Sequence, residues 1–256
     1  MLIIISSAKT QHYRRPSGLP VSQPLLLDQA ARLAHRCRQL SKEEIASLMK
    51  VSDKIAATTW QRFQDFSLPH ETGSASPALT TFSGDVFSEI KHETFSSYDW
   101  LFAQRRLRVI SGLYGLLRPL DLMQCYRLEM GYKIGIGDDA NLYDYWSEAV
   151  TGLLNRDLAE IIGATVLNCA SKEYSRIVLS DKLNAPMLTL TFKQLQNNRV
   201  RSIAIYAKRA RGMFVDWFIR NRIAKVDQLK NFDRGGYSFA PELSNDSELV
   251  FVTRLD

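Results

Sequence analysis

The hydrophobic pattern begins with a short apolar run, Leu2–Ile5, that is followed at once by small and polar residues, Ser6–Thr10. The same arrangement recurs further on, where the apolar run Ala164–Leu167 precedes the polar segment Asn168–Tyr174. Short apolar runs with β-branched side chains are typical of buried strands. The pattern therefore predicts two buried strands, each of which ends in a cluster of polar side chains.

A longer stretch, Val109–Gly131, combines an apolar run with residues that shape loops. Gly115 permits a backbone conformation that other residues resist, and Arg118 is biased toward an extended backbone because a proline follows it. Asp121 is placed to accept hydrogen bonds from nearby backbone amides. We predict a strand, a shaped loop and a returning element. Two interpretations stay open: a functional loop, or a structural turn that contains a buried Arg–carboxylate pair.

Residues 41–66 carry the signals of two short helices joined by a tight connection. Ser41 as N-cap and Glu44 three residues later form a capping-box pattern, and a second helix begins near Asp53. This predicts a helix–hairpin–helix-like unit, a motif whose DNA-binding versions contact phosphate through glycine amides of the hairpin. The connection here, residues 50–54, contains no glycine, so an ordinary α-helical hairpin is the alternative.

Positive charge is concentrated in one part of the chain. The formal net charge is +6, but the segment Lys193–Arg234 alone contains eleven Lys and Arg against three Asp, which leaves the other residues at −2. A concentrated basic surface indicates a polyanionic partner, although a solvated basic face has the same composition. In this region, residues 187–192 and 200–206 are predicted to pair as strands across a turn at 196–198.

A helix is predicted to run from residues 206–212 to about Ala224, with Lys208, Arg209 and Arg211 near its beginning. Cations disfavour the N-terminus of a helix, whereas an anion bound to the helix amides would offset them. These cations are therefore the strongest physical indication of an anion site. A second indication is Lys9, which lies among hydroxyl-bearing residues and can hold a phosphate as a point charge. Its segment lacks the glycines of a P-loop, so that motif is excluded.

The composition limits the class of protein. Of 256 residues, 45% are hydrophobic and 23% charged, which is typical of a globular chain with a well-formed core. The three cysteines are odd in number and widely separated, which argues against a disulfide framework and for a reducing compartment. No apolar run reaches the roughly 18 residues of a membrane span, and the N-terminus lacks a secretory pattern. A cytoplasmic location and no membrane contact are expected.

Several kinds of chemistry have no motif in the chain. The four histidines show no metal-ligand spacing with one another or with cysteine. A GxSxG elbow, a paired-cysteine redox motif and a dinucleotide-binding fingerprint are all absent from the sequence. We predict no metal site and no cofactor.

The sequence resembles the YaaA family of bacterial peroxide-stress resistance proteins from Met1 to the last predicted strand. Five blocks carry the resemblance, in the family's order and spacing: SAKT (Ser7–Thr10), SGLYGLLRPLDL (Ser111–Leu122), YRLEMG (Tyr126–Gly131), ASKEY (Ala170–Tyr174) and YAKRARG (Tyr206–Gly212). The resemblance implies a mixed α/β fold in one compact domain over residues 1–256, with a mixed sheet surrounded by helices. It also implies a helix–hairpin–helix element, which favours that interpretation of residues 41–66, and a positively charged cleft.

The function implied by the resemblance is DNA binding with little sequence preference, to duplex or branched DNA. The implied biological role is protection of DNA during hydrogen peroxide stress, with lowered free iron. We expect Val109–Gly131, the two strand ends and the helix start to form one anion-binding cleft. Its DNA- or anion-contacting residues would be Lys9, Thr10, Arg118, Arg127, Lys172, Lys208, Arg209 and Arg211.

An enzyme acting on a nucleotide, a nucleobase or a phosphorylated small molecule in the same cleft is the alternative. The resembling blocks hold carboxylates and phenols beside the cations, and a surface that only holds phosphates has little use for such carboxylates. The candidate catalytic residues are Glu129, Glu173, Asp121 and Tyr114. A third interpretation is a scaffold whose basic cleft binds RNA or another protein.

Overall fold

The fold is described by a computed structural model that covers residues 1–15, 18–197 and 199–254. Its strands are β1 (Leu2–Ser6), β2 (Thr10–Gln11), β3 (Ser76–Pro77), β4 (Phe82–Ser83), β5 (Leu107–Ser111), β6 (Gly115–Leu117), β7 (Leu122–Met123), β8 (Val166–Asn168), β9 (Met187–Gln196), β10 (Arg199–Arg201), β11 (Ser238–Phe239) and β12 (Glu248–Arg254). Its α-helices are α1 (Leu27–Arg38), α2 (Lys42–Met49), α3 (Asp53–Asp65), α4 (Ala78–Thr81), α5 (Ser97–Arg106), α6 (Leu142–Ala159), α7 (Lys172–Ser175) and α8 (Ala204–Arg220). Short 3₁₀ segments lie at Phe87–Glu89, His92–Thr94, Ser180–Lys182, Val226–Asn231, Arg234–Gly236 and Pro241–Leu243.

Strand β1 lies inside a mixed sheet whose order is β11-β12-β9-β8-β1-β5-β6, with β10 paired to β9. The five central strands, from β12 to β5, are mutually parallel, while β6, β10 and β11 are antiparallel to their neighbours. Residues Leu2–Ile5 are completely buried, because parallel strands are covered on both faces. The mixed α/β class and the strand at the N-terminus are confirmed, and the strand predicted at 164–167 begins two residues later, at Val166.

Residues 109–131 contain the predicted strand, a tight loop and a returning strand. The returning strand begins earlier along the chain than the sequence pattern predicts. Gly115 adopts φ +67, and a Cβ there would lie 2.7 Å from the Trp146 ring. The Ser111 hydroxyl accepts the Tyr114 amide at 2.9 Å, which tightens this turn. Residues 115–117 therefore return as β6, and in the later part of the stretch only Leu122–Met123 is a strand.

Helices α2 and α3 form the predicted pair. The Glu44 amide donates to the Ser41 hydroxyl at 3.2 Å, and the Glu44 carboxylate accepts the Ser41 amide at 2.7 Å, so the capping box is confirmed. Lys50 ends α2 in the left-handed conformation, with φ 50, a role that glycine usually fills. A DNA-contacting role for this helical pair stays a prediction.

Helix α8 begins earlier than the sequence predicts. The side chain of Gln194 accepts the Ile203 amide at 2.7 Å, so β10 ends at Arg201 and the helix starts at Ala204. Residues 202–206, predicted as strand, are therefore not strand. Part of the predicted turn, Asn198, lies outside the described residues. Lys208 is then in the second turn, so the proposed conflict between cations and the helix N-terminus is wrong.

Candidate functional site

A cavity opens where the direction of the sheet connections reverses. The chain leaves β1 toward β5 on one side, whereas it leaves β8 toward β9 on the other. Ligands of open parallel sheets bind in the crevice that such divergence creates at the carboxyl ends of the strands. Here the segments after β1 and β8 line a cavity of about 450 Å³. Its wall is formed by Ser6, Ser7, Ala8, Lys9, Thr10, Ser83, Gly84, Asp85, Val86, Phe87, Glu129, Cys169, Ser171, Glu173, Tyr174, Lys208 and Arg211.

Hydrogen bonds join the two polar strand ends to each other. The Ser171 amide donates to the Ser6 hydroxyl at 2.9 Å, and the Cys169 amide donates to the Ile4 carbonyl at 2.9 Å. The Asn168 side chain accepts the Ala170 amide at 3.0 Å, which turns the chain at the end of β8. The two clusters predicted from the hydrophobic pattern are therefore the two sides of one site.

Helix α8 closes the cavity because a glycine lets it approach a loop closely. Gly212 packs against the carbonyl of Val86, and a Cβ at this position would overlap that oxygen and lie 2.8 Å from Glu89 Cβ. The same loop contributes Asp85, which was not among the predicted site residues. The Gly84–Asp85 pair was its only local signal, and Gly84 has φ +128.

Two of the cations of the cavity wall lie close to carboxylates. Lys9 Nζ lies 2.9 Å from Glu129 Oε1, a contact without hydrogen-bond alignment, and Lys208 Nζ lies 3.7 Å from Asp85 Oδ2. Among the described residues, three cations and three carboxylates line the cavity: Lys9, Lys208 and Arg211, with Asp85, Glu129 and Glu173. The formal charges of the wall therefore balance, whereas a cleft built only for a polyanion would carry a positive excess.

Arg211 differs from the other cations of the wall. Its guanidinium forms no hydrogen bond or ion pair within the described part of the chain, and its Nε is wholly buried without an acceptor. Burial lowers the pKa of this guanidinium, only partly offset by the nearby Cys169 thiol. A buried cationic donor without a partner is costly. An anion bound in the cavity would give Arg211 the acceptor and the countercharge that its guanidinium lacks among the described residues.

A hydroxyl network lies behind the cavity. Tyr126 and Ser111 share a hydrogen bond of 2.7 Å between their hydroxyl oxygens. Burial raises the pKa of Tyr126 to about 12 and also raises the pKa of Tyr174. The nearby Ser7 side chain partly offsets both shifts. These phenols therefore stay protonated at neutral pH.

Arg118 and Asp121 lie outside the cavity wall and bind each other. The Asp121 carboxylate is fully buried and accepts Arg118 Nη2 at 2.7 Å, the Arg118 amide at 2.8 Å and the Ser22 hydroxyl at 2.7 Å. Arg118 also donates to the carbonyl of Gln23 at 3.0 Å. These contacts form the buried Arg–carboxylate pair of the structural interpretation.

Tyr114 is also placed in the core rather than at the cavity. Its hydroxyl lies 2.9 Å from His70 Nε2 and accepts the Gln124 amide at 3.0 Å. Since His70 Nδ1 lies 3.1 Å from the Ser67 carbonyl, the ring carries its proton on Nδ1 and accepts from Tyr114. Complete burial strongly raises the pKa of Tyr114.

The remaining predicted residues divide between the wall and the surface. Lys9, Thr10, Lys208 and Arg211 of the anion-contact set, and Glu129 and Glu173 of the catalytic set, line the cavity. Arg209 points elsewhere and pairs with Glu89 at 2.6 Å. Lys172 is exposed at the start of α7, and Arg127 is half-buried with an Nε that has no acceptor among the described residues. The structure thus brings six of the twelve candidates to one site.

The cysteines are poorly suited to peroxide chemistry. Burial raises the pKa of the Cys37 and Cys169 thiols to about 12, and it raises the pKa of Cys125. Reactive cysteines require the thiolate. In the described ranges, no group of three or more His, Cys, Asp or Glu side chains is arranged to hold a metal ion, and no helix is long and apolar enough to cross a membrane.

The fold and the site together define a class: a mixed α/β protein with a polar, ligand-sized cavity at the carboxyl edge of its parallel strands. Comparison with known proteins then places the chain in the family described as peroxide stress protein YaaA, which it matches over residues 1–243. It is 44% identical to a UPF0246 protein of Idiomarina loihiensis, with 98% of each chain covered. It is 42% identical to a UPF0246 protein of Colwellia psychrerythraea, with 99% of each covered, and 43% identical to one of Acaryochloris marina, with 98% and 99% covered.

Proposed function

We propose that this peroxide stress protein acts in the cytoplasm by binding DNA with little sequence preference. We assign the phosphate contacts mainly to exposed cations on a basic ribbon, defined as the carboxyl-terminal parts of β9 and β12 together with β10. This assignment differs from the expectation drawn from the sequence, in which the phosphates are held by cations of a single cleft. The membership in a peroxide stress family supports the biological part of the proposal.

The ribbon extends beyond the cavity edge of the sheet. The last residue of β8 pairs with Thr189, while β9 continues seven residues further, to Gln196, or about 23 Å of extended chain. Strand β12 accompanies it until Arg254 lies opposite Leu195. Phe192 and Phe214 are 5.9 Å apart between ring centroids and pack the ribbon against α8. The ribbon is therefore a firm support for surface cations.

The charges of the ribbon support a polyanion contact. Arg199 and Arg201 are exposed, and neither they nor Lys193 form a salt bridge within the part of the chain that the structure describes. By contrast, Arg209 already has a carboxylate partner, Glu89, at 2.6 Å. Unpaired surface cations can neutralise phosphates without first losing a carboxylate, and such contacts carry little sequence information. The proposal rests on these ribbon cations, which have no carboxylate partner among the described residues, although Arg201 donates a hydrogen bond to the Gln196 side chain at 2.7 Å.

The test is the salt dependence of duplex binding, measured by fluorescence anisotropy. For wild-type protein, we expect the logarithm of the affinity to fall linearly with the logarithm of the salt concentration. The double variant Arg199→Gln/Arg201→Gln should reduce that slope by roughly two, because each phosphate contact contributes about 0.9. A control variant, Lys182→Gln/Lys230→Gln, removes two exposed lysines that already face Glu148 and Asp227.

The control should leave the slope within about half a unit of wild type. Absence of duplex binding at low salt, or an unchanged slope in the arginine variant, contradicts the proposal. Competition with single-stranded RNA distinguishes a general nucleic-acid scaffold from a DNA-binding protein. Preferential binding of RNA would favour the scaffold interpretation.

A further inference from the structure

We infer that the cavity is a binding site for a small phosphorylated ligand of the nucleoside monophosphate class. In this arrangement, Arg211 and Lys208 hold the phosphate, and Glu129 and Glu173 accept hydrogen bonds from hydroxyl or amino groups of the sugar and base. The site is separate from the basic ribbon, so it does not depend on DNA binding.

The first argument is the state of Arg211. Its buried Nε lacks an acceptor, and no carboxylate of the described residues neutralises its guanidinium. Lys208 lies one helical turn before it on α8, and its 3.7 Å contact with Asp85 is longer than a hydrogen bond. A phosphate monoester carries close to two negative charges and offers several acceptors, which matches a guanidinium and an ammonium on one helix face. The ligand would thus supply the partner that the fold does not.

The second argument is the presence of carboxylates in the same wall. Glu129 has only 15% of its side chain exposed, and Glu173 is fixed by accepting the Gly131 amide at 2.9 Å. These carboxylates would repel a continuous phosphate backbone. They can accept hydrogen bonds from the hydroxyl and amino groups of a nucleotide's sugar and base. A ligand with an anion at one end and donors at the other satisfies both groups. The charge balance of the wall therefore favours a small bifunctional ligand over a strand of nucleic acid.

The third argument is size and surface. A volume of about 450 Å³ lies within the 300–1,000 Å³ typical of small-molecule sites. Phe87 and Tyr174 add aromatic surface to a wall that also contains the hydroxyls of Ser7 and Ser171. Such surfaces pack against a flat ring while the polar groups set its orientation. The location at the reversal of the sheet connections is where open parallel sheets bind nucleotides.

The experiment is titration calorimetry of the purified full chain with AMP, GMP, CMP and UMP as probes. We expect at least one of them to bind, and its nucleoside, which lacks the phosphate, to bind at least about tenfold more weakly. Arg211→Met should weaken nucleotide binding at least about tenfold, and Lys208→Gln should weaken it in the same direction. Arg209→Met is the matched control, because Arg209 is adjacent in sequence but lies outside the cavity wall and pairs with Glu89.

Three results would overturn the inference. They are no binding of any monophosphate at millimolar concentration, equal binding by the Arg211→Met and wild-type proteins, and equal binding of inorganic phosphate and the nucleotides. Should Arg211→Met fail to fold, Lys208→Gln decides, since the Lys208 side chain is 55% exposed and tolerates replacement. Duplex binding measured on the same variants separates the two sites. Loss of nucleotide binding with normal DNA binding supports the inference, whereas parallel loss of both contradicts a separate site.

Discussion

Lys9 and Glu129 form an ion pair of 2.9 Å that joins the polar end of β1 to the segment before Gly131. The lysine side chain is 59% exposed and the carboxylate 15%, so the pair lies at the mouth of the cavity with its anion inward. The two residues were predicted for different roles, phosphate contact and acid–base chemistry. Their contact shows that this cation and this carboxylate lie in one site, where their opposite charges partly neutralise each other.

Replacing Glu129 with Gln tests whether this ion pair contributes to the stability of the fold. A partly exposed ion pair contributes little, so the free energy of unfolding in urea should change by less than about 1 kcal/mol. Glu148→Gln, which disrupts the exposed contact with Lys182, is the control and should change less. A loss of about 3 kcal/mol or more would instead make Glu129 a structural residue.

Asp121→Asn should be the opposite case. Its fully buried carboxylate holds Arg118 and Ser22, and removing one partner of such a pair leaves an uncompensated charge. We expect the free energy of unfolding to fall by about 3–5 kcal/mol in urea denaturation. Asp227→Asn, at an exposed pair with Lys230, should remain within about 0.5 kcal/mol of wild type. An Asp121→Asn protein as stable as wild type would contradict the assigned structural role.

His70 should make stability depend on pH below neutrality. Burial lowers the pKa of His70 from its ordinary value of 6.5, so its neutral form is favoured in the folded state. This stabilisation is complete above pH 6.5 and is lost as the pH falls toward the folded pKa, because only the unfolded chain gains the proton. The loss is up to about 1.4 kcal/mol per pH unit in that window.

Urea denaturation between pH 7.5 and 5.5 measures this effect. His70→Gln should show a weaker pH dependence than wild type, since the group that resists protonation is gone. Exposed His35, replaced by Gln, is the control and should leave the dependence unchanged. An identical slope for wild type and His70→Gln would show that another group controls it.

The cysteines should react slowly in the folded protein. At pH 8, the thiols of Cys37 and Cys169, with pKa values of about 12, form very little thiolate. Iodoacetamide labelling followed by mass spectrometry should modify both only after unfolding in urea. Peroxide consumption by wild type and by a Cys169→Ser variant should be equal. Rapid labelling of Cys169 without denaturant would disprove the assignment.

Two helical glycines should respond in opposite directions to alanine. Gly212 packs against the Val86 carbonyl, so Gly212→Ala should destabilise the protein by about 1–3 kcal/mol through overpacking and should displace the cavity wall. Gly152, in the middle of α6, has open space around it, and a Cβ at that position would meet no atom of the described residues within 4 Å. Gly152→Ala should therefore stabilise the protein by about 0.5–1 kcal/mol. Thermal denaturation of both variants measures the difference. A stabilised Gly212→Ala protein would refute the close approach of α8.

Local signals were sufficient for several elements. The apolar run at Leu2–Ile5 identified β1, and the spacing of Ser41 and Glu44 identified the start of α2. Each depends on interactions within a few residues or on burial of one contiguous run, which the order of residues records directly. The sequence predicts too late a start for α8, because the boundary at Ala204 depends on a hydrogen bond to Gln194, a residue of β9.

The sequence by itself determined the α/β class, the family and the residue types available for a site. The tertiary structure alone decided which of them meet: Ser6 and Ser171 are 165 positions apart, and Arg209 and Glu89 are 120 apart. It paired Arg118 with Asp121 in the core, placed Glu129 beside Lys9, and left Arg211 without a carboxylate partner in the part of the chain that the structure describes. The reason is physical. Strand order and the close approach of α8 follow from burial of the whole core, and periodicity along the chain carries no record of which distant side chains that burial brings into contact.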